Sequence, residues 1–202
     1  ELPDEIRIAS SNETINDPIV ALAWRLWLPI TRGLRHDELS RYRVAAEEAR
    51  ADIIVRVTAD CPLIEPDLID RSIGKLVSDQ SLDYVSNTIK RTYPRGFDVE
   101  VMWRSVLTIA AREATRDTDR EHVTRFIWRH LDRFRTASIE DSADNSHLRW
   151  TVDTQEDLSV VRAIYRDLLR TSTSSDFTYK DLLAHAYAFP EVHAMNAHVP
   201  QR

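Results

Sequence analysis

Residues 52–58, Asp-Ile-Ile-Val-Arg-Val-Thr, narrow the fold more than any other stretch of the chain. They are rich in β-branched residues and almost continuously apolar, the pattern of a strand covered on both faces. The segments around it follow a helical period. Ile19, Leu22, Ala23, Leu26 and Trp27 share one stripe, with Asn16 or Asp17 as cap. Pro18 sits in the first turn, where its missing N–H costs nothing. Residues 37–50 place Leu39, Tyr42, Ala45, Ala46 and Ala49 on a second stripe, and Pro66 opens a helix reaching Val77. Short strands at 5–9, 29–33 and 84–86 alternate with these helices. That alternation predicts an α/β chain with a mainly parallel sheet between helices.

The later half is mixed. Residues 97–103 alternate apolar and acidic side chains and read as a half-exposed strand, with Asp98 and Glu100 on one face. Val99, Val101 and Trp103 suit either a dimer arm or closure over the chain's own core. Helices are expected at 104–114 and 118–131, and strands at 134–139 and 148–152. A helix over 154–169 opens with Thr154 and Asp157 at capping-box spacing. A Ser/Thr-rich joint at 171–175 leads to a last helix near 179–188. No internal repeat is read, and the 202 residues suit a single domain.

Composition removes several classes of function. There are 33 acidic against 27 basic residues, a net charge of −6, and no Lys/Arg-rich block, which argues against nucleic acid as partner. No apolar run approaches the ~20 residues of a membrane span. The one cysteine, Cys61, excludes an internal disulfide. With no signal-peptide pattern, this makes a reducing cytoplasm the expected compartment. Only three glycines occur, Gly33, Gly74 and Gly96, so the sequence holds no Gly-rich phosphate loop.

Chemistry concentrates at strand ends, where open α/β sheets bind ligands. Asp60 follows the best strand and Asp153 follows the 148–152 segment. Two such carboxylates can share a hard cation such as Mg²⁺, with water and phosphate oxygens completing the shell. Equally, Asp60 suits a turn and Asp153 a helix cap. The segment 93–100 gathers Arg95, Gly96, Asp98 and Glu100: a face for sugar hydroxyls with a guanidinium for carboxylate or phosphate, or simply a wet strand face. Glu121 and His122 stand together in a helical stretch, where a lone His is commonly a surface or capping group.

Five stretches together carry a resemblance: DIIVRVTADCPLIEPDLID, NTIKRTYPRGFDVEV, REHVTRFIWRH, LRWTVDTQEDLSVVRAIY and the closing NAHVPQR. In this order and spacing they resemble the cytidylyltransferase-like family of spore coat polysaccharide biosynthesis protein F, related to the CMP-sialic acid and CMP-Kdo synthetases. The resemblance spans residue 5 to the C-terminus. It implies a Rossmann-like three-layer sandwich of the nucleotide-diphospho-sugar transferase type. It also implies transfer of CMP from CTP to a sugar, typically acidic, in glycan biosynthesis. Asp60 and Asp153 match the Mg²⁺-binding, catalytic carboxylates. Asn87, Arg95, Asp98, Glu100, Glu121 and His122 match the substrate side. The family opens with a strand and a Gly/Arg/Lys loop for the CTP phosphates, which this sequence lacks. The expectation is therefore an N-terminally truncated chain releasing little pyrophosphate by itself. Two rival readings are a non-catalytic binding or assembly module, and another nucleotidyl- or glycosyl-transferase on the same fold.

Overall fold

The structure, a computed structural model, describes residues 3–170 and 177–200; the joint read at 171–175 lies outside them. In chain order the elements are β1 (Ile8–Ser11), a 3-10 turn (Thr14–Asn16), α1 (Asp17–Arg25), β2 (Ile30–Gly33), α2 (Glu38–Glu48), β3 (Ile53–Arg56), α3 (Pro66–Ser78), β4 (Tyr84–Ser86), β5 (Glu100–Trp103), α4 (Arg104–Glu113), α5 (Asp117–Glu121), α6 (Arg125–Arg129), β6 (Thr136–Ser138), α7 (Gln155–Leu169), α8 (Tyr179–Ala188) and α9 (Pro190–Ala194). The α/β alternation expected from periodicity is present.

Two compact units share the chain. The first takes Glu1–Val55, Ile73–Val85 and Val101–Ala137. In it β1 and β2 pair in parallel, from Ile8 opposite Ile30 to Ser11 opposite Gly33. A four-stranded sheet runs in the order β3-β5-β4-β6. Helix α2 packs on β1, β2, α4 and α5 and buries Leu39, Ala45 and Ala46. It starts where the Asp37 carboxylate accepts the Ser40 N–H at 3.0 Å, and Asp37 also takes a 2.7 Å bond from Arg120. Tyr84, Val85, Val101, Met102, Leu107 and Ile127 complete the core.

The second unit takes Arg56–Ser72, Ser86–Glu100 and Ser138–Arg202. Its centre is aromatic: Phe97 lies 5.3 Å from Trp150 and 5.2 Å from Tyr179, and Tyr93 lies 5.3 Å from Tyr179, centroid to centroid. Val99, Val160, Ile164 and Leu182 of the same unit are fully or almost fully buried. Helices α7 and α8 begin in matching capping boxes, Thr154 with Asp157 and Thr178 with Asp181.

Four sequence expectations are corrected. The α1 stripe stays open: Val20 and Ala23 are buried, but Ile19, Leu22, Leu26 and Trp27 are exposed, Trp27 at 93 %. Periodicity marks an amphipathic helix without saying whether a neighbour covers it. Asn16 is no side-chain cap, because its amide donates to Ser11 Oγ at 2.6 Å instead. The helix read at 118–131 is two short ones, α5 and α6. Between them fully buried Val123 takes φ +42°, a left-handed value that β-branched residues rarely adopt. Finally, residues 148–152 form no strand. Arg149 makes one parallel bridge, to Arg95, and the segment's other hydrogen bonds go to side chains and turns.

Candidate active site

Gly96 makes the site's framework possible. Its φ is +94°, and a Cβ there would stand 2.4 Å from Thr151 N and 2.5 Å from Trp150 C. Only glycine lets the two backbones approach so closely. Arg95 N–H then donates to Leu148 O at 3.0 Å, and Trp150 N–H to Arg95 O at 2.7 Å. Asn87, fully buried, brackets the same segment: its Nδ2 donates to Phe97 O at 2.6 Å and its Oδ1 accepts Val99 N–H at 2.9 Å.

A third segment joins through Asp60, which lies in a turn beyond β3. Thr151 Oγ1 donates to Asp60 Oδ2 at 3.1 Å, and Val152 N–H to Asp60 O at 2.9 Å. The residue before Asp153 is thus bonded directly to Asp60. Asp60 Oδ1 receives only the long contact from the Cys61 thiol, 3.6 Å. Asp153 gives Oδ2 to Arg149 Nη2 at 2.6 Å, while its Oδ1 has no hydrogen bond among the described residues. Asp153 is not the helix cap; Thr154 is.

The charges around these carboxylates are mostly paired. Arg91 grips Asp98 with two bonds, 2.6 and 2.8 Å. Glu100, 6 % exposed, meets Arg56 at 2.5 Å. The 97–103 stretch is therefore not the half-exposed strand of its alternating pattern: a buried ion pair absorbs the acidic position. Burial, together with the charges of Arg91 and Arg149, lowers the pKa of the Arg95 guanidinium. The Arg95 guanidinium has no hydrogen-bond partner among the described residues, although Asp98 favours its charge. A half-buried cation beside like charges is a place for an anion. Burial pushes the Cys61 thiol up to about 12, so it is no nucleophile near neutrality.

Six expected residues, Asp60, Asn87, Arg95, Asp98, Glu100 and Asp153, fall in the second unit. Glu121, at the end of α5, and His122, its C-terminal cap, are exposed residues of the first. Sequence reading missed four of the residues that hold the others, Arg56, Arg91, Arg149 and Asn196, and gave Asp157 only its part in the capping box. Arg149, 4 % exposed, binds Asp157 through Nε at 2.8 Å and Nη2 at 2.9 Å. Burial alone would raise the Asp157 pKa, but bonds from Arg149, then Asn196, then the Asp153 and Thr154 N–H groups hold it well below the usual carboxylate range. Arg149 and Asp157 stood inside a recognised stretch, but nothing local marks an arginine as the core of an ion-pair network.

No group of three or more His, Cys, Asp or Glu residues suited to a metal occurs among the described residues. No described helix is long and apolar enough to cross a membrane.

Carboxylates and arginines gathered on loops beyond the strands of an α/β frame lie where such folds bind ligands. A profile of the cytidylyltransferase family matches residues 2–184. The spore coat polysaccharide biosynthesis protein SpsF of Bacillus subtilis is 30 % identical over 166 residues, 81 % of this chain and 68 % of that protein. A cytidylyltransferase structure from Leptospira borgpetersenii superposes with a TM-score of 0.87 at 27 % identity, covering 93 % of this chain and 77 % of that one. The structure of CMP:2-keto-3-deoxy-manno-octonic acid synthetase complexed with CTP matches at a TM-score of 0.58 and 15 % identity, over 81 % of each chain, a likeness of fold. The chain belongs to the cytidylyltransferase family.

Proposed function

We propose that this chain handles CTP and an acidic sugar, the sugar hydroxyl displacing pyrophosphate from the α-phosphorus to give a CMP-sugar for glycan synthesis. The observation that carries this reading is the joining of Asp60 to Thr151 and Val152, which puts the carboxylates of Asp60 and Asp153 on adjoining segments. Each keeps an oxygen little engaged by protein: Asp60 Oδ1 and Asp153 Oδ1. A pair of carboxylates without further protein ligands suits Mg²⁺, which keeps waters and takes phosphate oxygens as its other partners. Bound there by Asp60 and Asp153, Mg²⁺ would supply charge neutralisation for the phosphate oxygens.

The chain's own groups supply recognition. Arg95 is the group assigned to the sugar carboxylate, because no described side chain hydrogen-bonds its guanidinium and only the nearby charge of Asp98 offsets that of Arg91 and Arg149. Asp98, held on Arg91, and Glu100, held on Arg56, are the acceptors offered to sugar hydroxyls. Asn87 fixes the backbone that carries Asp98.

Calorimetric titration of CTP into the chain with Mg²⁺ present tests the reading, alongside pyrophosphate release with a panel of keto-acid sugars. Asp60→Asn and Asp153→Asn should each remove Mg²⁺-dependent CTP binding while the chain stays folded, since Asn also serves the turn at Asp60 and at position 153 its amide oxygen still accepts from Arg149. CTP binding untouched by both substitutions would overturn the assignment.

A further inference from the structure

The closing motif contains Asn196, a residue with no part in the reading above. It lies just beyond α9 and is 1 % exposed. Its Nδ2 donates to Arg149 O at 3.0 Å and to Asp157 Oδ1 at 2.8 Å. Its Oδ1 is buried with no donor. A buried acceptor without a donor is a cost, so stability alone does not favour asparagine here.

The two donated bonds act on the network that holds Asp153. Asp157 Oδ1 receives Arg149 Nε and Asn196 Nδ2, each at 2.8 Å. Asp157 Oδ2 receives Arg149 Nη2 at 2.9 Å and the N–H groups of Asp153 and Thr154 at 3.0 Å each. With Asp157 so fully bonded, the guanidinium is fixed along its edge, and Nη2 alone reaches on to Asp153 Oδ2 at 2.6 Å. Without Asn196, Asp157 Oδ1 loses a donor and the Arg149 backbone loses its tether. The guanidinium can then turn toward Asp153 and occupy both of its oxygens.

We infer that Asn196 is a positioning residue for Asp153: by clamping Arg149 and Asp157 it keeps one oxygen of Asp153 available to a divalent cation. The inference rests on the proposed role of Asp153 as a cation ligand. A control sits in the same segment. His193 accepts the Trp150 Nε1–H at 3.1 Å, so His193→Phe loosens the segment while leaving both Asn196 bonds in place.

The test is Mn²⁺ titration of the chain, with free Mn²⁺ read by electron paramagnetic resonance and melting recorded for each variant. Asn196→Ala should weaken Mn²⁺ binding about 10–100-fold, the usual effect of losing an outer-shell partner. Asn196→Ser, whose hydroxyl serves one acceptor, should fall between it and the parent. His193→Phe should lower the Tm without weakening Mn²⁺. Parent-like affinity in Asn196→Ala, or in Asn196→Ser should the alanine variant not fold, overturns the inference. So does an equal loss in His193→Phe. Asp153→Asn separates the two levels. Unchanged Mn²⁺ binding in that variant overturns the cation reading of the site itself. Binding lost there but kept in the Asn196 variants overturns the positioning role alone.

Discussion

His193 shows how one buried side chain sets a pH response. Trp150 Nε1–H donates to His193 Nδ1, so His193 carries its proton on Nε2 and donates to His185 Nδ1 at 3.1 Å; His185 Nε2–H then reaches Asp167 Oδ2 at 3.4 Å. Adding a proton to His193 Nδ1 would break the Trp150 bond. Burial first, and His185 second, push the His193 pKa down to about 4. An unfolded histidine titrates near ~6.5, so below that pH the unfolded chain takes up a proton that the folded chain refuses. The contribution is therefore complete above ~6.5 and lost as the pH falls toward 4, at a limit of about 1.4 kcal/mol per pH unit for one proton. Asp157, whose pKa is lowered, adds its own loss only at still more acid pH. Melting from pH 7 to 4 should show a falling Tm, and His193→Phe should flatten that limb. An unchanged slope in the variant would remove His193 from this account.

Helices α7 and α8 start with the same four-residue device. In the first, Thr154 N–H donates to Asp157 Oδ2 at 3.0 Å; in the second, Thr178 N–H donates to Asp181 Oδ2 at 2.9 Å. The spacing was legible in both, though only the first was read. Spacing does not reveal that Asp157 is fully buried on Arg149 whereas Asp181 is exposed. Thr154→Ala and Thr178→Ala should each cost about 0.5–2 kcal/mol, the usual worth of a cap. The acidic partners should separate. Asp157→Ala removes both of the bonds that Asp157 makes to a buried guanidinium and should cost about 3–5 kcal/mol. Asp181→Ala should stay nearer ~1 kcal/mol. Urea denaturation of the four variants decides it, and equal losses for the two aspartates would refute the distinction.

For the molecule as a whole, the open α1 stripe matters most. Ile15, Trp24, Leu26 and Trp27 are 80, 70, 55 and 93 % exposed within one short stretch. Contiguous exposed apolar surface favours association. In addition, neither β1 beyond β2 nor β3 beyond β5 has a further strand partner among the described residues. Open strand edges act in the same direction. Sedimentation velocity should therefore show concentration-dependent association. Trp24→Gln with Trp27→Asn should reduce it at little cost in Tm, since Trp27 sits at φ +58°, which asparagine tolerates well. Association undiminished in the double variant would place the contact elsewhere.

Local periodicity and spacing sufficed for the helices over 104–113, 155–169 and 179–188, for the β3 core and for the capping box at Thr154, because each is decided by residues within a turn or two. The same logic drew attention to Asp60, Arg95, Asp98, Glu100 and Asp153, since strand-end carboxylates and a Gly-adjacent arginine are local patterns. What holds those groups came only with the tertiary fold. Arg149 meets Asp157 and Asn196 as a buried ion-pair network, Glu100 hides on Arg56, and Gly96 is indispensable because Trp150 and Thr151 press against it. These are contacts between segments far apart in sequence. Which charges are neutralised, which faces stay wet and which backbones touch depend on that long-range pairing, which no window of neighbouring residues encodes.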